Sequence, residues 1–517
     1  EPTDFDLRVD GGSVHQSCCY RETVGDTNRC HWHRQTQVDL EWDQSPFEDG
    51  RAPAEIRELN GGTSDREGEA RARLGDVIPT ELLDGADLAD QTVPEETAFD
   101  HCFLRHAALA DADLTAVSLV EAVLPESDLT GATLSDTDCR GAILSETDCT
   151  DADFRGATVA GGDLTGATLN GADMREATFS NATLTRVTAT GADAVRSIFH
   201  DADLQGSTFD GVDMGNADLG GARLDEASLD GADCRNANVG GATLSGASLT
   251  GIDLREANLR QVDFTGATLR EADLRGADLR GATFEGADLT DAHMEETRLD
   301  GVTFEGATLT GAKLCETDLV TATFDDTDLI ATDLTEADLT GADLSGETLR
   351  EATLTGAVLE KARLDGADFR EASLADADLR QVDANEASLS DASFDDATLE
   401  AATLVNAALD GASFGGTVCA DTVFTDATLT TATFVETDLT GAILTGADLR
   451  GVCLTDATME GADCTGATFS EATIDSVALD DATLAGAVFR QTDLSGADLT
   501  GVTIHLGDVC IVRGGEP

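Results

Sequence analysis

The sequence predicts an all-β solenoid, a chain wound into a four-sided β-helix behind a small N-terminal domain built differently. Three observations carry this. An apolar register repeats every five residues, phenylalanine recurs at intervals of 20, and a strongly acidic composition still leaves 41% hydrophobic residues. That apolar share, arranged in a register, argues against the disorder that high net charge and few aromatics otherwise suggest.

Positions whose numbers end in 4 or 9 form one unbroken run of 82, from Phe99 to Ile504, nearly all Leu or Phe. Sixteen of the 19 Phe and all four Met (Met174, Met214, Met294, Met459) fall on it. Two residues before each centre stands a small residue, usually Ala, as at Ala112, Ala132, Ala152, Ala277 and Ala497. Asp, Thr or Asn lies between the two, and Gly, Asp or Glu often follows two places after the centre. A helix wants apolar residues at intervals of 3, 4 and 7, and a longer strand wants strict alternation. Neither fits. Small and large apolar residues bracket one polar residue, then two polar positions turn the chain.

A corner every five residues closes a square in four, so one coil takes 20 residues. Phe264, Phe284, Phe304 and Phe324 keep that spacing, as do Phe394, Phe414 and Phe434. These should stack on single faces. The register implies about 20 coils and, at about 4.8 Å per hydrogen-bonded strand, a length of about 100 Å. Backbone groups of each coil then pair with the coils on either side.

With this unit, quoted in GADLRGATF at 276–284, the chain resembles the pentapeptide-repeat family. The resemblance implies a right-handed quadrilateral β-helix over about 400 residues. It leaves function open. Members include bacterial proteins that protect DNA gyrase by resembling DNA in shape and charge.

Taken in order, residues 1–79 contain no repeat and hold both Trp and the only Tyr. A short helix is expected at 53–59, with Pro53 at its start and Asn60-Gly61 after it, and another at 65–74 between Ser64 and Gly75. This region should cap the first coil and hide an open strand edge. Six of the chain's His and Cys residues cluster here: His15, Cys18, Cys19, Cys30, His31 and His33. Read as H-x2-C followed by C-x2-H, the set His15, Cys18 or Cys19, Cys30 and His33 offers four ligands to a structural zinc in a domain with little core of its own. Haloarchaeal members of the family look similar in carrying a Cys/His segment before the repeats.

The solenoid is expected over 80–510. Leu83, Leu88 and Val93 are five apart and Phe99 follows after six, so the register slips by one beside Pro94. Cys139, Cys149, Cys234, Cys419 and Cys464 occupy centre positions as small apolar groups. Ala189, Ala194 and Ala384 replace large centres, and Phe209 and Met214, one coil beyond the first two, are suited to fill the space. His101 and His106 fall at corners and Cys102 inward, which does not suit a second metal site. The repeats should run on through Ile504 and Val509 to a tail at 511–517. No amphipathic helix covers the last coil, so either the tail folds over it or another chain does; family resemblance favours end-to-end self-association there.

Function is bounded by charge. Asp and Glu number 101 against 32 Lys and Arg, a formal charge of −69. Phosphate contacts need Lys and Arg, so direct nucleic-acid binding is excluded. No apolar run is long enough for a membrane helix. Only Lys313 and Lys361 are Lys. Abundant carboxylate with almost no Lys suits a cytoplasm of multimolar salt, where the Debye length is about 3 Å and self-repulsion is screened. No nucleophile arrangement, P-loop or dinucleotide fingerprint appears, so no enzyme is expected. The acidic surface is interrupted at 251–282, where Arg255, Arg260, Arg270, Arg275 and Arg280 meet six carboxylates. That band reads as a ladder of surface ion pairs or as a docking patch for a protein partner. A non-catalytic protein-interaction or structural scaffold is the expected function. The alternatives are a DNA mimic acting on a topoisomerase or other DNA-binding protein, and a filament subunit assembling end to end.

Overall fold

A corner every five residues is what the backbone builds. The computed structural model describes residues 83–95, 97–494, 496–503 and 510–512. It comprises two compact units, divided between Asp218 and Leu219. No α-helix occurs among the described residues.

Each five-residue unit contributes one parallel bridge, at the polar residue between the small residue and the centre. In unit 1, Asp113 bridges Thr133, Thr133 bridges Asp153 and Asp153 bridges Asp173; in unit 2, Asp253 bridges Asp273 and Asp273 bridges His293. Four such positions per 20 residues give four sides. The centre amide donates to the coil ahead (Leu109 to the Asp128 carbonyl, 2.7 Å), and the polar residue donates to the coil behind (Asp153 to Ala132, 2.9 Å). Among the described residues no backbone run is long enough to be a regular strand until the C-terminal end of unit 2, yet the polar groups are paired at nearly every face.

The corners explain the fifth position. The small residue's amide closes a four-residue turn onto the preceding centre, as Ala112 does onto Leu109 at 3.0 Å. The third residue of that turn takes positive φ, 55° at Asp111 and 65° at Gly131. Such turns favour Gly, Asn and Asp. Here Glu fills many of them as well, for example Glu121 and Glu271.

Both apolar positions point inward. Leu279 and Ala277 are fully buried, and so are the small centres Ala189 and Ala194 with Phe209 and Met214 one coil on. The aromatic columns form as the 20-residue spacing predicts. Centroids of Phe264, Phe284, Phe304 and Phe324 are separated by 4.9, 5.5 and 5.5 Å, and those of Phe394, Phe414 and Phe434 by 4.9 and 4.6 Å.

The slip near Pro94 is present too. Asp87 and Thr92 bridge residues 21 further on (Ala108 and Asp113), whereas Ala98 bridges Ser118, 20 further on. One extra residue between Thr92 and Ala98 makes a bulge. The Pro94 carbonyl there accepts from both the amide (3.1 Å) and the hydroxyl (2.6 Å) of Thr97.

The C-terminal register departs from expectation. Thr483 bridges Thr503 at the usual interval. Strand β1 (Val488–Arg490) then pairs in parallel with β2 (Cys510–Val512), Phe489 lying opposite Ile511. That interval is 22, so Ile511 rather than Val509 takes the place beside Phe489. The pairing extends to Val512.

Candidate functional site

The outward surface is ordered by one local device. An Asp just before the centre accepts from the amide two residues on, and the side chain of that second residue returns to the same carboxylate. With Thr the pair is compact: Thr165 bonds Asp163 through its amide at 3.0 Å and its hydroxyl at 2.6 Å. With Arg the contact becomes a fork. Arg155 reaches Asp153 through its amide (3.0 Å), Nε (2.9 Å) and Nη2 (2.5 Å). The outward Asp is thereby fixed in an Asx-type turn, which is why Asp is so frequent there. The signal in the sequence is Asp followed two places later by Thr or Arg.

Stacking converts these pairs into ladders. In unit 2, Arg235 pairs with Asp233 (2.5 Å) and leans toward Asp253 (3.7 Å). Arg255 pairs with Asp253 (2.6 Å) and reaches Asp273 (3.4 Å), which Arg275 also holds (2.5 Å). On the next face, Arg260 (3.2 Å) and Arg280 (2.6 Å) share Asp278. The two pairs of the Arg band therefore stack as their spacing predicts. Arg270 stands on a third face, bonded to Asp288 at 3.1 Å. The Arg275 and Arg280 forks are the leading cause that holds the Asp273 and Asp278 carboxyls below the usual carboxylate range.

Elsewhere the surface is plainer. His101 meets Glu121 (3.0 Å) and His106 meets Glu126 (3.4 Å) at exposed corners, while Cys102 is fully buried. One open depression of about 630 Å³ is lined by Glu126, Ser127, Asp128, Glu146 and Asp148. It presents carboxylates and a hydroxyl already bonded to the Leu104 carbonyl. Burial pushes the thiols of Cys149, Cys464 and half-buried Cys315 up to about 12, so they stay protonated. Among the described residues no group of three or more His, Cys, Asp or Glu is placed to hold a metal ion, and no helix is long and apolar enough to cross a membrane. The predicted zinc ligands His15, Cys18, Cys19, Cys30 and His33, and the helices expected at 53–59 and 65–74, lie outside the described residues.

The model for the family described as pentapeptide repeats matches overlapping segments from 95–131 through 462–501. HetL, a pentapeptide repeat protein involved in heterocyst differentiation regulation from the cyanobacterium Nostoc sp. strain PCC 7120, is 28% identical over 48% of this chain and 90% of its own, with a TM-score of 0.25. Full-length QnrB1, a plasmid-mediated fluoroquinolone resistance protein, is 19% identical over 43% and 92%, with a TM-score of 0.16. Rfr23, a pentapeptide repeat protein from the cyanobacterium Cyanothece 51142, is 30% identical over 21% and 64%, with a TM-score of 0.12. No curated protein sequence matches the chain.

Proposed function

Because this chain belongs to the pentapeptide-repeat family, with its right-handed β-helix, we propose that it is a non-catalytic scaffold whose outward faces dock protein partners in a cell of high internal salt. The observation that supports this reading is the ordered surface. Asp side chains locked in turns and Arg forks shared between coils are fixed before any partner arrives, so little side-chain entropy remains to be lost on docking. The Arg255, Arg260, Arg275 and Arg280 ladders are the docking patch in this reading, with Arg270 at its margin. They are the place where an acidic partner meets least repulsion.

The test is partner recovery from native lysate at multimolar KCl, using the wild-type chain and a variant with those four Arg replaced by Gln. Loss of recovery with the fold retained is the expected result. Equal recovery assigns the ladders to stability alone. The net charge of −69 favours a second reading, mimicry of DNA toward a topoisomerase or another DNA-binding protein. Inhibition of supercoiling by purified protein at high salt would support it.

The N-terminal set His15, Cys18 or Cys19, Cys30 and His33 is proposed to bind one zinc per chain. Elemental analysis reads this directly, and zinc retained after Cys30→Ala with His33→Ala would remove those ligands from the set. End-to-end self-association is proposed through the C-terminal coil, where Leu499 is 41% exposed and β2 pairs with β1 alone among the described residues. Light scattering across a concentration series is the check, with a constant monomer mass as the contrary outcome.

A further inference from the structure

The inward position two residues before each centre holds Ala, Val, Thr, Ser, Cys, Gly or Ile along the described register from Thr97 to Val502, with one exception, Glu347. A carboxylate placed among alanines must find donors, and Glu347, only 5% exposed, finds two in the coil behind it. One oxygen accepts from the Asp326 amide at 3.1 Å and the other from the Thr327 amide at 2.6 Å. One coil earlier, the equivalent amides are used differently. Gly306 donates to the Asp325 carbonyl at 2.7 Å, tying its coil to the next, and Ala307 closes its turn onto Phe304 at 2.9 Å.

Glu347 therefore takes the place of both a turn bond and an inter-coil bond. The cost appears one face away. From Arg223 to Thr503 every rung of the unit 2 ladder is present at the 20-residue interval except one among the described residues, Thr323 with Asp343. The Phe304 amide reaches Thr323 at 2.9 Å, whereas the corresponding bond from Phe324 to Asp343 is not made. Ala322 and Phe324 are 8% and 5% exposed, against none for Phe304.

We propose that Glu347 is a wedge that holds one rung of unit 2 open and makes the corner at 325–327 the place where this unit opens. Two arrangements compete. With the carboxylate inserted, the rung is open. With it withdrawn, the Asp326 and Thr327 amides return to the Ser345 and Phe324 carbonyls, the pattern of the neighbouring corners, and the rung closes.

Charge decides between them. Asp325 and Asp326 face the carboxylate from the coil it reaches, and Asp365 stands by register at the equivalent corner of the coil ahead. Arg363 is engaged with Asp343 (2.7 Å) and Asp365 (3.7 Å), and no cation is among the groups that shift Glu347. Burial, reinforced by Asp325 and Asp326, raises the Glu347 pKa against the pull of the two amides. The ionised form is the disfavoured one, so stability falls as pH rises from the ordinary carboxylate value through the raised one. Withdrawn into water the carboxyl returns to its ordinary value, so ionisation favours withdrawal and the closed rung, and protonation favours the inserted carboxyl.

Hydrogen exchange on the full chain, corrected for intrinsic rates, reads this directly. In the wild type, amides at 322–327 and 343 should exchange about tenfold faster than those at 302–307. Glu347→Ala, which restores the residue found at Ala307 and Ala367, should bring them to the neighbours' level. Glu347→Gln, which can accept only one amide well, should fall between. Lowering the pH from neutral toward the carboxylate range should speed exchange at this corner in the wild type and leave Glu347→Ala unmoved. Equal protection at 322–327 and 302–307 in the wild type, or fast exchange persisting in Glu347→Ala, would overturn the proposal.

Discussion

Replacing Phe304 with Ala removes a fully buried ring that lies between two others, at 5.5 Å from each and tilted by 10° and 16°. Truncating a core Phe costs about 3–5 kcal/mol. Two stacked neighbours, each pair worth about 0.5–1.5 kcal/mol, place this site toward the top of that range. Phe324 ends the column, has one stacked neighbour and borders the open rung, so its truncation should cost about 3 kcal/mol. Phe304→Leu restores the residue that most centres carry and should cost only about 1–2 kcal/mol. A solenoid is coupled mainly to its nearest neighbours, so a single global transition is not assured. The measurement is therefore the opening free energy of amides within one coil of the substitution, by hydrogen exchange at constant high salt. A cycle pairing Phe284→Ala with Phe304→Ala should return a coupling of about 1 kcal/mol. Equal losses for Phe304→Ala and Phe304→Leu, or no coupling in the cycle, would refute the column as a cooperative element.

Leu279→Asp puts an unpaired carboxylate at a fully buried centre and should cost about 3–5 kcal/mol, read as local loss of exchange protection; wild-type protection would mean that the centre does not face inward in solution. The Asp273 and Asp278 carboxyls are held below their ordinary range by Arg, so their stabilisation is present at neutral pH and lost as pH falls through those lowered values. Melting curves in the acid range should show a smaller loss in the Arg255, Arg260, Arg275 and Arg280 to Gln variant than in the wild type, and coincident acid limbs would contradict the ladder's contribution. Diluting salt from about 1 M to about 0.01 M lengthens the Debye length from about 3 Å to about 30 Å, so the melting temperature should drop; an unchanged value would argue against carboxylate repulsion as a governing term.

What was legible in the sequence is whatever repeats. Five-residue spacing set the corners, 20-residue spacing set the columns, and the Phe stacks and paired Arg ladders follow from those two numbers together. The extra residue beside Pro94 was legible because both flanks keep the register. The C-terminal offset was not, because after Thr503 only β2 marks the new phase, and Val509 and Ile511 are equally apolar. The outward Asp was visible as a preference, but its cause, an Asx turn shared with Thr or Arg two places on, required the backbone. Glu347 shows the opposite limit. In a pattern where Ala tolerates Val, Thr or Cys, one Glu looks like another polar variation until its two amide partners are seen. The carboxylate satisfies its own needs by taking donors from the corner behind, and the ladder loses a rung one face away. Departures from a repeat are thus where its chemistry can differ from the average, because every conforming position is committed to holding its neighbours.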